Sequence, residues 1–117
     1  MLPRKLMAFL FLQLALGAAD GLAAAPPRVL GFDDNSCRAW SGSKDDPEQR
    51  GAYISWARGF LSGHNYANQK QQVSDISRGT VEMFIERFCR DKPAAQFTEA
   101  VYRMSDQYSG RGAPISK

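Results

Sequence analysis

Two cysteines, Cys37 and Cys89, follow an N-terminal segment built for export, and that combination limits the fold more than any other feature. Met1, Leu2 and Pro3 lead into Arg4 and Lys5, a short basic start. Residues 6–19 are apolar apart from Gln13, and small residues continue to Ala25. The apolar run is about 14 residues, against the roughly 20 needed to cross a bilayer. This is the layout of a cleavable signal peptide and not of a membrane span. Gly17 and Ala19, or Gly21 and Ala23, supply the small residues a cut requires, so cleavage is expected between residues 19 and 25. In the oxidising compartment beyond the membrane, two cysteines are expected to pair.

A cut at Ala23 divides the chain into a leader of residues 1–23, a domain of residues 24–110 and a flexible tail of residues 111–117. About 94 residues remain, enough for one small domain with a thin core. A Cys37–Cys89 bond closes a loop of about 50 residues, and the loop-entropy model assigns it roughly 4 kcal/mol. Arg4, Lys5 and Asp20 leave with the signal. The remaining 13 Lys/Arg and 11 Asp/Glu put the domain near +2. Its basic residues are dispersed, and the one tight group, Arg87, Arg90 and Lys92, is interleaved with Glu86 and Asp91. That is a solvated mixed surface and not a nucleic-acid footprint.

The apolar spacing is helical throughout. Asn35 or Ser36 is placed to cap a short turn carrying Cys37 and Trp40, with residues 41–44 as a loop. Asp46, Pro47 and Glu48 form a helix start: a capping carboxylate, a proline in the first turn and an acid at the positive end of the dipole. Tyr53, Trp56, Phe60, Leu61 and His64 then recur at three and four, which predicts an amphipathic helix running to about Asn68. Gly59 and Gly63 share a face of it. They fit either the close approach of a neighbouring helix or a shallow groove for a partner. Residues 69–79 are polar and predict a loop with Val73 and Ile76 tucked inward. Thr80 is the expected cap of the next helix, with Val81, Phe84, Ile85 and Phe88 as its stripe and Cys89 beside it. Phe84 and Phe88 are expected to pack on Trp56 and Phe60. A last helix is expected from Pro93, carrying Phe97, Val101, Met104 and Tyr108, and ending at Gly110. The fold class is therefore all-α: a small single-domain bundle of three main helices plus a short N-terminal helical turn, with one disulfide.

The residues point to binding and not to catalysis. One histidine and two paired cysteines make no zinc site. Asp45, Asp46 and Glu48 serve a helix start, and Ser41, Ser43 and Ser62 have no base at a recognisable spacing. No cofactor or metal is expected. Cys37 and Cys89 lack the Cys-x-x-Cys spacing of a redox pair. His64 changes charge near pH 6.5, which makes it a candidate pH-sensing group, together with Glu86 and Asp91.

The chain resembles the HdeA/HdeB family of periplasmic acid-stress proteins. The resemblance runs from Cys37 through Trp56-Ala57-Arg58-Gly59-Phe60-Leu61 and Asn65. It continues over Phe88-Cys89-Arg90-Asp91-Lys92 to Phe97 and Val101, and spans about 70 residues. It implies a periplasmic all-helical protein with one disulfide and no membrane span, a homodimer near neutral pH, and holdase chaperone activity once acid loosens the structure. Protonated carboxylates and His64 carry the domain from about +2 toward about +14, which favours opening by self-repulsion. Trp56, Phe60, Phe84 and Phe88 are then the candidate client- or partner-binding residues. The glycine-rich second helix is also similar to secreted immunity proteins of the Rap1a/Tai type. That similarity implies the alternative, a stable periplasmic binding module: an immunity-type inhibitor or an envelope-assembly subunit.

Overall fold

The computed structural model describes Ala25 and residues 27–110. The expected leader of residues 1–23 and the expected tail of residues 111–117 lie outside the described residues. Four helices follow in order: α1 (Cys37–Gly42), α2 (Pro47–Ala67), α3 (Arg78–Asp91) and α4 (Phe97–Ser109). Among the described residues there is no strand, and one isolated bridge pairs Ser36 with Gln96. Cys37 and Cys89 are joined, with their Cα atoms 5.1 Å apart, so α1 is covalently fixed to the end of α3.

Each helix begins where a side chain supplies an acceptor for its free N–H groups. Ser36 Oγ accepts from the Ala39 amide, and Asp46 Oδ1 from the Gln49 amide with Pro47 in the first turn. At α3 the cap is Ser77 and not Thr80: Ser77 Oγ accepts from the Thr80 amide at 3.2 Å. Thr80 is thus one turn inside the helix, its hydroxyl 3.0 Å from that of Ser77.

The largest correction concerns α4. It starts at Phe97 and not at Pro93, because its N-terminus is capped from more than 60 residues away. The Phe97 amide donates to the Asn35 carbonyl at 2.7 Å, and the Thr98 amide to Asn35 Oδ1 at 3.1 Å. Asn35 Nδ2 also donates to Thr98 Oγ1 at 2.9 Å. Residues 92–95 form a turn instead, and its Ala95 carbonyl accepts from the Cys37 amide at 3.0 Å. At the other end Gly110 takes the left-handed conformation, φ 69°, and closes α4.

The core centres on Phe97, which is fully buried. Its ring lies 4.8 Å from Tyr53, 5.4 Å from Phe32, 5.7 Å from Trp40 and 5.8 Å from Trp56, centroid to centroid. Phe32 comes from the segment ahead of α1 and closes the cluster from above. Gly31 makes its approach possible: its φ is +117°, and a Cβ there would sit 2.8 Å from Trp56 Cδ1. Val81, Ile85 and Cys89, four apart on α3, meet Ala100, Val101 and Met104 of α4 in the remaining core. Burying each large apolar side chain contributes about 1.5–3 kcal/mol.

The buried stripes sit slightly rotated from those expected. On α2 the buried residues are Arg50, Tyr53, Ile54, Ala57, Leu61 and His64, while Trp56 and Phe60 are half-buried at its edge. On α3, Phe84 and Phe88 are half-buried. On α4, Ser105 is fully buried and Tyr108 is 38% exposed. Val73 is buried and Ile76 half-buried, as the loop reading expects. Gly59 and Gly63 are exposed, and a Cβ at either meets nothing within 4 Å. Among the described residues, no neighbouring helix approaches them.

Candidate functional site

A buried cation with two half-exposed counter-charges dominates the electrostatics. Arg50 lies one turn into α2, and its side chain is 6% exposed. All three guanidinium nitrogens are used. Nε donates to Ser43 Oγ at 2.9 Å and Nη2 to the Trp40 carbonyl at 2.8 Å. Nη1 donates to Glu82 Oε1 at 3.1 Å and to Glu86 Oε1 at 2.9 Å. The guanidinium also stacks on the Trp40 indole, 3.8 Å from the ring centroid. One side chain on α2 thereby ties α1 to α3.

Local sequence explains the geometry. Glu82 and Glu86 are four apart on α3 and present their carboxylates side by side. Their side chains remain 39% and 42% exposed. An open groove of about 600 Å³ lies over them, lined by Lys44, Ser77, Thr80 and Met83 among others. A charge removed from water stays stable only while its partners remain ionised and bonded. Here the cation is sheltered and both anions face solvent.

The aromatic candidates separate into two pairs. Trp56 and Phe60 stack at 5.7 Å, and Phe60 continues to Tyr102 of α4 at 5.1 Å. Phe84 instead contacts Tyr108 at 6.0 Å, and Lys92 Nζ stands 5.3 Å over the Phe88 ring. The expected packing of Phe84 and Phe88 on Trp56 and Phe60 is therefore corrected. The i, i+4, i+8 row of Val81, Ile85 and Cys89 takes the core positions and turns the two rings toward the edge. With Met83, 64% exposed, and Tyr108 they line a second groove of about 290 Å³.

The pH-sensing candidates also diverge. Glu86 is bonded to Arg50 as described. Asp91 is exposed at the last position of α3. His64 is 5% exposed near the end of α2, with Nδ1 3.3 Å from Asn65 Oδ1. Asn65 grips the following loop through Val73, accepting its amide at 2.7 Å and donating to its carbonyl at 2.9 Å.

Two other groups depart from ordinary behaviour. The Ser36 hydroxyl and amide hold the Asp34 carboxyl below the usual carboxylate range, with help from Arg38. Burial pushes the Tyr53 phenol up, and its hydroxyl donates to the Asp34 carbonyl at 2.6 Å.

Arg50 and Glu82 are the residues that reading the sequence missed. A signal was present: 50, 53, 54, 57, 61 and 64 fall on one helical face, so an arginine sits on the apolar stripe and demands partners. Among the described residues, no three His, Cys, Asp or Glu side chains gather where a metal ion could be held. Compared with family models, curated proteins and solved structures, the chain matches none.

Proposed function

We propose that this chain is an exported, periplasmic holdase chaperone of HdeA type, activated by acid and without catalytic activity. The observation that carries the reading is Arg50, buried and balanced by two carboxylates that face water. Acid neutralises Glu82 and Glu86 and leaves a sheltered cation without its counter-charges. Losing both counter-charges weakens the hold on a buried cation, in a domain whose whole stability is about 5–15 kcal/mol. The loosened domain exposes apolar surface to unfolding clients, with Phe84, Phe88, Trp56 and Phe60 nearest to release. The disulfide limits how far the chain expands.

The test is suppression of aggregation of an acid-denatured client at about pH 2.5 and at about pH 7, with near-UV circular dichroism and ANS binding on the same samples. Suppression in acid alone, with fixed packing lost and ANS bound, supports the holdase. An unchanged near-UV signal with unchanged aggregation overturns it. That outcome favours a stable binding module, for which the open face at Gly59 and Gly63 is the specific observation.

A further inference from the structure

The segment ahead of α1 is held by contacts that read its backbone and one of its rings. Tyr53 and Trp56 are three apart on α2 and share a face. Trp56 Nε1 donates to the Leu30 carbonyl, and the Tyr53 hydroxyl donates to the Asp34 carbonyl at 2.6 Å. Between these two carbonyls the Phe32 ring enters an aromatic cleft. Its centroid lies 5.1 Å from Tyr53, 5.3 Å from Trp56 and 5.4 Å from Phe97. Gly31 passes so close to Trp56 that a Cβ there would clash, and its φ of +117° suits glycine alone.

The other side chains of the segment stay outside the cleft. Leu30, Asp33 and Asp34 are exposed, and Phe32 itself is half-buried. What the cleft recognises in residues 30–34 is therefore two main-chain carbonyls, one glycine and one aromatic ring. A peptide-binding groove divides its labour in this way: main-chain bonds supply affinity and a side-chain pocket supplies specificity. The segment is anchored at its far end. Asn35 is bonded to Phe97 and Thr98, and Cys37 to Cys89. Residues 30–34 lie outside the disulfide loop, so they can leave the cleft without disturbing either anchor.

We propose that the cleft of Tyr53, Trp56 and Phe97 is a peptide-recognition site, filled in this chain by its own residues 30–34, that accepts from a protein partner an extended segment with glycine followed by an aromatic residue. The chain's own segment is the resident competitor. Tethered at Asn35, it acts at an effective concentration on the order of millimolar, which a partner must outbid. The site needs the folded cleft and no acid, and so goes beyond the holdase reading.

Titration at about pH 7 with a synthetic peptide of residues 29–34, Val-Leu-Gly-Phe-Asp-Asp, tests this on the disulfide-bonded protein. The readout is the indole N–H resonance of Trp56. Phe32→Ala empties the cleft and leaves the Asn35 anchor in place. It should bind the peptide one to one, at least about tenfold tighter than wild type, which shows the same shift at higher peptide. A peptide with alanine for the glycine, or alanine for the phenylalanine, should bind at least about tenfold more weakly. If Phe32→Ala fails to fold by circular dichroism, Gly31→Ala carries the titration, since its Cβ pushes the segment off Trp56 and leaves every core side chain in place. No shift in wild type or in either folded variant up to about 5 mM peptide overturns the site. Binding indifferent to the glycine or the ring does the same, because it marks a merely apolar surface. A wild-type dimer by analytical ultracentrifugation that is lost in Phe32→Ala also overturns it, since the segment is then exchanged with a second copy.

Discussion

The Arg50 guanidinium lies over the Trp40 indole at 3.8 Å while its Nη2 donates to the carbonyl of that same residue at 2.8 Å. One cation thus recognises both the side chain and the backbone of α1. Its remaining contacts reach Ser43, just after α1, and Glu82 and Glu86 on α3, so α2 is tied to both helices through it. Arg50→Ala should lower stability by about 1–3 kcal/mol, since it removes the buried stem and guanidinium packed on Trp40 and the bonds to Ser43, Trp40 and the two glutamates. Urea unfolding monitored by tryptophan fluorescence measures this. A loss under about 1 kcal/mol would mean that the ion cluster adds nothing to the fold.

Cys89→Ala removes the covalent link between α1 and α3. For a loop of this length the expected cost is about 2–5 kcal/mol. Unfolding midpoints of oxidised wild type and variant provide the comparison, and intact mass of the wild type should show no free thiol.

Phe97 and Phe84 differ in burial although both are phenylalanines on apolar stripes. Phe97→Ala should cost about 3–5 kcal/mol, because four aromatic neighbours surround the vacated space. Phe84→Ala should cost about 1–2 kcal/mol, in proportion to its half-burial. Equal losses would place Phe84 in the core and contradict the edge position.

Tyr53 and Asp34 give opposite pH dependences. Burial raises the Tyr53 phenol, so its contribution is complete below the unfolded value of about 10 and is lost as pH rises through the raised folded value. Bonding to Ser36 lowers Asp34, so its contribution is present above about 3.9 and is lost as pH falls through the depressed folded value. Tyr53→Phe should flatten the alkaline limb of a stability–pH curve, and Asp34→Ala should soften the acid limb. An unshifted Asp34 carbon resonance in an NMR titration would remove the second expectation.

Gly59 lies inside α2 with open space where a Cβ would go. Gly59→Ala should therefore raise stability by about 0.5–1 kcal/mol through helix propensity and a less flexible unfolded chain. A destabilised variant would mean that something does approach this face. A stabilised variant that loses binding to an envelope partner would support the binding-module reading.

Local chemistry made much of the architecture legible. Asp46-Pro47-Glu48 begins α2 because cap, proline and acid all act within one turn. Ser36 and Gly110 work the same way at α1 and α4. The apolar repeat located the helices, but it ranked side chains by size and missed which ones turn inward. Trp56, Phe60, Phe84 and Phe88 attract attention as large rings, yet Ile54, Ala57, Ile85 and Cys89 hold the narrower inner positions. The broad rings that are fully buried, Trp40, Tyr53 and Phe97, instead gather where α1, α2 and α4 meet, a grouping that no single helix's repeat reveals.

By itself the sequence determined the all-helical class, the pairing of Cys37 with Cys89, and the caps that use a neighbouring residue. Those depend on spacing of a few residues, or on there being only two cysteines to join. Only the tertiary structure decided that α4 begins at Phe97, because its cap is Asn35 from the far side of the chain. It also decided that Arg50 is buried, because Trp40 and Ser43 from one segment and Glu82 and Glu86 from another converge on it. A hydrogen bond between distant residues leaves no periodic trace along the chain. It arises when packing brings an unpaired donor and an acceptor together where water cannot serve either.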